Sequence, residues 1–377
     1  MKKKLFRITT VAGSINVLLR GQLKFLSQAY DITAIASGSD ILNVVATREG
    51  VSVKNIPMAR EISPFLDIYS LFYLYFYFLK EKPYIVHANT PKASLLSMIA
   101  AFFAFVPHRV YMVTGLRFET THGVIRFILI SIERLTCFFS NKVIPEGKGV
   151  RDKLILYKIT SKPLSVIHNG NINGVDTRYF DKAMYLSKYD ISPFLKYKKD
   201  ITFIFIGRLV KDKGISELYL AFKEFQKHGI DSSLILLGRY ETSSNSLDAT
   251  LVHDLKNDEN VFSLGFQKDI RPFLAIADVF LFPSHREGFP NVLLQAASMS
   301  LPLISTEVNG ANEVINDGVN GFLIPIGDYK SLLAKMLFFW QNKDQISIMG
   351  QKCREKAVNY FKQEDVWNEI LNTYNNL

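Results

Sequence analysis

Short apolar runs, rich in β-branched and aromatic residues, recur along the chain and are separated by longer stretches whose apolar positions repeat at helical spacing. In the first half the runs are Leu5–Thr10, Ile32–Ser37, Val51–Pro57, Ile85–Ala88, Arg109–Val113 and Lys142–Pro145. In the second half they are Ile201–Ile206, Ser233–Gly238, Val261–Gly265, Val279–Phe282 and Leu301–Ser305. A run without polar alternation suits a strand covered on both faces, and strands alternating with helices wind a parallel sheet. The pattern therefore predicts an α/β architecture. Three further stretches, Asp328–Gln341, Lys343–Phe361 and Glu364–Asn375, read as closing helices. Between the two sets of strands, residues 181–200 are polar and include Lys196, Lys198 and Lys199, which predicts a linker. A chain of 377 residues holds two cores of ordinary size. The expected division is a first domain over 1–180, a second over 201–360 and a last helix over 361–377.

Two stretches of the first half are apolar almost all round. Ile68–Leu79 and Ala93–Val106 are both shorter than the ~20 residues that span a bilayer. One reading makes them core helices on the sheet. The other brings their aromatic side chains to a membrane surface, with Arg60, Lys80, Lys82 and Lys92 meeting anionic headgroups.

Charge sharpens that contrast. Residues 1–200 hold 28 Lys and Arg against 14 Asp and Glu, a balance of +14, whereas residues 201–377 hold 17 against 21, a balance of −4. A basic half suits nucleic acid, an anionic membrane, a phosphorylated acceptor, or simple solubility. No basic recognition helix or aromatic RNA motif accompanies it, so nucleic acid is not an expected partner. Cys137 and Cys353 lie in no CxxC or Cys/His cluster, which argues against structural zinc and for a reducing compartment. Met1-Lys2-Lys3-Lys4 has the look of a signal-peptide start, but Arg7 interrupts the apolar run, and a first strand fits better.

The candidate chemistry sits where strands end. After Ile201–Ile206 comes Gly207-Arg208-Leu209-Val210-Lys211-Asp212-Lys213-Gly214, then a helix. A glycine turn, a forked guanidinium, a point charge and free backbone N–H groups suit a diphosphate. After Val279–Phe282, the loop Pro283–Pro290 holds Glu287 just before a helix that begins at Asn291. A second such loop, Asn309–Glu313, follows the next strand. In the first half, His87-Ala88-Asn89-Thr90-Pro91-Lys92 joins a strand to a helix, so His87 either lines a cleft or is satisfied at the strand end. Thr114–Glu119 follows the next strand, and Arg117, Glu119 and His122 are candidates for acceptor contacts or for salt bridging within the loop. Ile167–Asp176 is dense in Gly and Asn and marks a turn-rich passage.

Glu287-Gly288-Phe289-Pro290-Asn291, with Gln295 eight positions after Glu287, resembles the motif of two glutamates separated by seven intervening residues in retaining glycosyltransferases of family 4. The resemblance extends from the opening strand to the last helices. It is strongest to enzymes that build capsule and O-antigen units on a lipid carrier. It implies the GT-B fold, two Rossmann-like domains facing a central cleft, with the last helix returning to the first domain. It also implies that Glu287 contacts hydroxyls of the donor sugar, and that Gln295 stands where the family binds the ribose of the nucleotide. Arg208 and Lys213 would neutralise the leaving diphosphate, with Gly207, Gly288, Phe289, Pro290 and Asn291 around the donor and Arg239 and Phe266 near its base. Gln295 departs from the family glutamate and loses its charge-assisted hydrogen bonds. Gly13 and Ser14, the latter as a helix cap, resemble the acceptor-side glycine loop, and Ile167–Asp176 resembles the family's Asn-Gly-x-Asp segment.

The expected reaction moves a hexose or N-acetylhexosamine, with retention, from a UDP-sugar to a saccharide on a polyprenyl diphosphate. The enzyme would work at the inner face of the cytoplasmic membrane without a metal or a cofactor, the nucleotide-sugar being a co-substrate. No Asp-x-Asp triplet occurs, which removes the usual metal ligand of the other large glycosyltransferase fold, and no G-x-G-x-x-G follows a strand. A second class of function stays open: a subunit that keeps this fold for binding or scaffolding, suggested by Gln295 and by Thr114, which stands where the resemblance implies a cleft His or Arg.

Overall fold

The computed structural model describes residues 2–377 apart from positions 60, 62 and 242–244, so Arg60 lies outside the described residues. The chain forms two compact units, residues 1–173 with 364–377, and residues 174–363.

The first unit is built on β1 (Lys4–Val11), β2 (Asp31–Ser37), β3 (Ser52–Asn55), β4 (Ile85–Ala88), β5 (His108–Val113) and β6 (Lys142–Pro145), all parallel, in the order β3-β2-β1-β4-β5-β6. Its helices are α1 (Ala12–Leu18), α2 (Gln22–Leu26), α3 (Ser39–Glu49), α4 (Pro64–Glu81), α5 (Pro91–Phe103), α6 (Gly123–Phe139) and α7 (Lys148–Leu156). Alternate residues of the strands face opposite layers. Phe6, Ile8, Val86, Tyr111 and Val143 pack under α4, α5, α6 and α7, while Leu5, Ile32, Ala34, Ile85 and Met112 pack under α1, α2 and α3. Burial on both faces explains why these strands read as unbroken apolar runs.

The second unit carries β7 (Ile201–Ile206), β8 (Ser232–Leu237), β9 (Val261–Ser263), β10 (Val279–Phe282), β11 (Leu303–Thr306) and β12 (Gly321–Ile324), in the order β12-β11-β10-β7-β8-β9. Its helices are α8 (Lys182–Leu186), α9 (Ile215–Gln226), α10 (Ala249–Asn257), α11 (Arg271–Ile276), α12 (Asn291–Ser298), α13 (Ala311–Val314), α14 (Tyr329–Gln341) and α15 (Lys343–Tyr360). Counted along its own chain, this sheet has the same strand order as the first. In both, the first strand of the unit, β1 or β7, is where the winding reverses direction, and the crevice at that point is where doubly wound sheets hold ligands. The strand β12 was not expected: it opens on Gly321, the last glycine of a Gly-Val-Asn-Gly turn, which leaves only Phe322–Ile324 as an apolar run.

The boundary differs from the expected one. Residues 181–200 are not a free linker. Phe180, Tyr185, Phe194 and Tyr197 join the core of the second unit, and Arg271 lays its guanidinium over the Tyr179 ring at 3.7 Å with Tyr185 and Tyr189 beside it. Lysines at intervals made the segment look solvated, while its aromatics carry the packing. The chain changes units at 173/174 and again at 363/364. Near these points Val175 donates its N–H to Phe361 O (2.8 Å), Gln363 donates to Val175 O (3.1 Å), and a Cβ at Gly174 would lie 2.6 Å from Gln363 Cα. The last helix, α16 (Gln363–Asn375), then buries Val366, Ile370 and Tyr374 against the first unit.

That docking contains an unusual buried polar group. Arg7, in the middle of β1 and fully buried, donates to Gln22 Oε1 (2.6 Å), Asn89 Oδ1 (3.1 Å) and Tyr374 Oη (3.2 Å). No carboxylate pairs with it among the described residues, and burial pulls its pKa down. Trp367 of the same helix donates its indole N–H to Asn173 Oδ1 (2.7 Å). The helix is therefore held by hydrogen bonds as well as by apolar packing.

Candidate active site

In the second unit the loops after β7 and β10, neighbours in the sheet, meet at the reversal point. Glycines let their backbones close in. A Cβ at Gly238 would lie 1.7 Å from Gly207 O, and one at Gly214, whose φ is +66°, would lie 1.9 Å from Pro283 O. Only glycine fits either place. The turn Lys211–Lys213 is thereby pressed against Pro283–Glu287, and His285 donates its backbone N–H to Asp212 O at 2.8 Å.

Lys213 Nζ forms an ion pair with Glu287 Oε1 there, and Ser284 Oγ donates to the same oxygen at 2.7 Å. Both charged side chains are only 14% exposed. Lys213 also sits over the Phe282 ring at 5.3 Å. Behind them, His285 Nε2 lies 2.9 Å from Glu217 Oε1, and this hydrogen bond raises the histidine pKa while lowering that of the carboxyl. Arg286 approaches Asp212 at 3.5 Å and keeps its Nε buried without a partner. The carboxylate and the ammonium that the motif places in sequence thus occupy one small pole, each able to exchange its partner for a ligand group of opposite polarity.

The other predicted donor residues spread around this pole. Arg208, exposed, bonds Glu241 Oε2 at 2.9 Å. Arg239 lies over Phe266 at 5.1 Å, and that ring is largely open to solvent. Gly207 supplies backbone at the end of β7, and Gly288 supplies it in the loop before α12. Phe289 differs from expectation: its side chain enters the core beside Phe361, at 5.7 Å between rings, so only its backbone remains at the loop. Pro290 stands at the N-cap of α12 rather than inside its first turn, with Asn291 as the first helical residue. Gln295 lies one turn further along, half-buried, and no described residue bonds its amide. The loop after β11 closes against Phe289, since a Cβ at Gly310 would meet Phe289 Cα at 2.6 Å, and Asn309 donates to Glu287 O at 3.4 Å. Ser284 and Asp212 were not singled out because a serine and an aspartate in loops carry no pattern of their own, whereas Asn309 belongs to the second loop marked in the sequence.

The first-unit residues are placed differently from one another. Gly13 and Ser14 lie inside the first turn of α1, whose N-cap is Val11, so Ser14 does not cap the helix. His87 is fully buried. Its Nδ1 meets Tyr374 Oη, and burial first, then the charge of Arg7, drives its pKa well below the ordinary value, so it is a neutral core residue and not part of an open wall. Lys92 is committed to Asp67 Oδ1 at 2.7 Å and to the Glu61 carbonyl. Arg117 and Glu119 belong to a single helical turn, Arg117–Thr120, in which Arg117 is exposed and Glu119 lies 3.7 Å from Lys153. What does gather at this reversal point is hydroxyl chemistry: Thr10 Oγ1 and Thr90 Oγ1 are 2.8 Å apart, and Thr114 Oγ1 donates to Asn89 O at 2.7 Å.

Two doubly wound domains of matching strand order, with a lysine–carboxylate pole at the reversal point of the second, define the GT-B class of fold. Comparison with known proteins agrees. Anabaena HepE, solved with UDP and glucose, matches with a TM-score of 0.81 at 18% identity, over 100% of both chains. Residues 17–177 match the model of Glycosyltransferase Family 4, and residues 189–359 that of Glycosyl transferases group 1. The capsular polysaccharide biosynthesis glycosyltransferase CapM of Staphylococcus aureus is 33% identical over 378 residues, 99% of this chain and 97% of CapM. An Escherichia coli UDP-Gal:α-D-GlcNAc-diphosphoundecaprenol α-1,3-galactosyltransferase is 32% identical over 316 residues, 81% of this chain and 78% of that one. The chain belongs to the family 4 glycosyltransferases.

Proposed function

We propose that this glycosyltransferase moves a hexose or N-acetylhexosamine from a UDP-sugar, with retention, to a saccharide carried on polyprenyl diphosphate, during synthesis of a capsule or O-antigen type polysaccharide. The observation that carries the reading is the Lys213–Glu287–Ser284 pole at the reversal point of the second sheet. In it, Lys213 leaves Glu287 for the donor diphosphate, joined by Arg208 and by the positive end of the α12 dipole. Glu287 accepts hydrogen bonds from hydroxyls of the donor sugar. The acceptor oxygen attacks the anomeric carbon on the face the diphosphate leaves. The new bond forms to that oxygen, the bond to the phosphate oxygen breaks, and the acceptor proton passes to the departing phosphate. No metal takes part in this scheme, and charge is balanced by Arg208 and Lys213.

The lipid-linked acceptor is supported by the full-length likeness to CapM and by the acceptor named for the Escherichia coli relative. On this reading the enzyme works at the inner face of the cytoplasmic membrane. Gln295 favours one other reading, a binding or scaffold subunit, because the family carboxylate is missing there. A screen of UDP-sugars for nucleotide release, with and without a polyprenyl diphosphate saccharide, separates the two. Acceptor-dependent release, an unchanged anomeric configuration by NMR and indifference to chelators are expected. Nucleotide binding with no turnover on any donor would leave the scaffold reading.

A further inference from the structure

In the first unit α4 packs on α5 and α5 on α6, as one layer over the sheet, and the outer surface of that layer is apolar where a solvated helix layer is normally charged. The stripe of α6 that faces away from the sheet is Val124, Phe127, Ile128, Ser131, Leu135 and Phe138, with Phe127 68% and Phe138 70% exposed. Its one hydroxyl, Ser131 Oγ, is already spent on Phe127 O at 2.9 Å. At the ends of α5 and α6, the rings of Phe102, Phe103, Phe138 and Phe139 form one cluster, with centroids 5.1 to 6.1 Å apart. Phe65, Phe72 and Phe76 continue the surface along α4.

Phe105 adds an independent sign. It occupies the left-handed position that ends α5, with φ +55°, where Val106 donates its N–H back to Ala101 O at 2.9 Å. Glycine is the favoured residue for this turn, and a bulky one is strained in it. Yet the phenylalanine is 87% exposed and so gains little from the core. Neither backbone nor packing accounts for an aromatic there, whereas an apolar medium outside the protein does.

The charge around this surface is predominantly positive. Of the three carboxylates on α4, α5 and α6, Asp67 is paired with Lys92, Glu81 with Lys4, and Glu133 is buried against Tyr111. Residues 140–162, which border α6, hold six Lys and Arg against two Asp and Glu. Arg134 ties α6 to this border through Tyr157 O at 3.1 Å.

We infer that the α4–α5–α6 layer is a docking surface for an anionic phospholipid bilayer, with the Phe103, Phe105, Phe127 and Phe138 side chains entering the interface and the basic border meeting the headgroups. A protein partner needs about one hydrogen bond per 100–200 Å², and the α6 stripe offers no free donor or acceptor. A bilayer asks only for apolar insertion and positive charge. No helix among the described residues is long and apolar enough to cross a membrane, so the contact is one of lying on the surface. The inference rests on the lipid-linked acceptor reading for its purpose, but its test uses neither donor nor acceptor.

The test is flotation of the full chain with vesicles of phosphatidylcholine plus phosphatidylglycerol, and of phosphatidylcholine alone. Binding should need the anionic lipid and weaken as salt rises. Phe105→Gly relieves the left-handed strain, so its Tm should hold or rise while vesicle affinity falls about tenfold. Phe127→Ser/Phe138→Ser should lower affinity about a hundredfold with UDP binding intact. Wild-type protein that does not float, variants that float equally well, or equal binding to phosphatidylcholine alone would overturn the inference. So would a wild-type dimer that becomes monomeric in the variants, which would make the face an interface between two copies. Failure of transfer alongside intact vesicle binding would instead remove the proposed function.

Discussion

Replacing Glu133 with glutamine should flatten the pH dependence of the first unit's stability. Glu133 lies on the buried side of α6 and accepts the Tyr111 hydroxyl at 2.6 Å. Burial, the larger influence, outweighs that hydrogen bond and pushes its pKa up from 4.5 to about 7. The folded state therefore holds the proton more tightly than the unfolded chain. Its contribution to stability is fully present below pH 4.5 and is lost as pH rises through about 7. At about 1.4 kcal/mol per pH unit across that interval, the loss comes to about 3 kcal/mol. Glutamine keeps an acceptor for Tyr111 and does not titrate. Its new N–H₂ group adds a cost of about 1–3 kcal/mol that is the same at every pH. The assay is urea unfolding from pH 5 to 8. With two units the transition need not be two-state, so the signal should come from one of them. Trp340 and Trp367 are the only tryptophans and fall in different units. In a Trp340→Phe background the fluorescence of buried Trp367 reports the first unit alone. Glu133→Gln should gain on the parent by about 2–3 kcal/mol between pH 5 and pH 8, the part of that loss that falls inside the range. Parallel curves over that range would refute the buried, proton-binding carboxyl.

Lys213→Ala should lower turnover about a hundredfold, because a preorganised charge on a leaving group is worth about 3 kcal/mol, and Arg208→Ala should also cost activity with little change in Tm; wild-type kcat/KM in both would sink the phosphate assignment. Glu287→Gln should cripple transfer, whereas Gln295→Glu should be tolerated or tighten donor binding in calorimetry. Loss of activity in a folded Gln295→Glu protein would show that this helix is misaligned with the family motif. Gly238→Ala should lower both Tm and UDP affinity, since its Cβ would lie 1.7 Å from Gly207 O and must push the two strand ends apart; an unchanged Tm would mean the loops are not packed as described.

Much of this protein is local and is written in residue order. Unbroken β-branched runs announce strands buried on both faces, the glycine turns at Gly207 and Gly214 announce the phosphate-side loop, and Glu287-Gly288-Phe289-Pro290-Asn291 announces its family. Periodicity also marked the closing helices to within a few residues. What needed the fold are statements about which face a side chain takes and which distant residue it meets. Lys213 and Glu287 are 74 positions apart and pair only because β7 and β10 are neighbours at the reversal point. His87, polar and next to a loop, looked like a site residue; the pleat of β4 turns it inward to Tyr374, 287 positions away. The lysines of residues 181–200 suggested solvent, and the stacking of Tyr179 and Tyr185 on Arg271 decided otherwise. The exposed stripe of α6 is of the same kind. Periodicity tells that a helix has an apolar side, but only the packing of α5 and the sheet tells that Val124, Phe127 and Phe138 are the residues left outside. Local sequence sets backbone preference within a few residues, whereas burial is a property of neighbours that the chain brings together only when both sheets have closed.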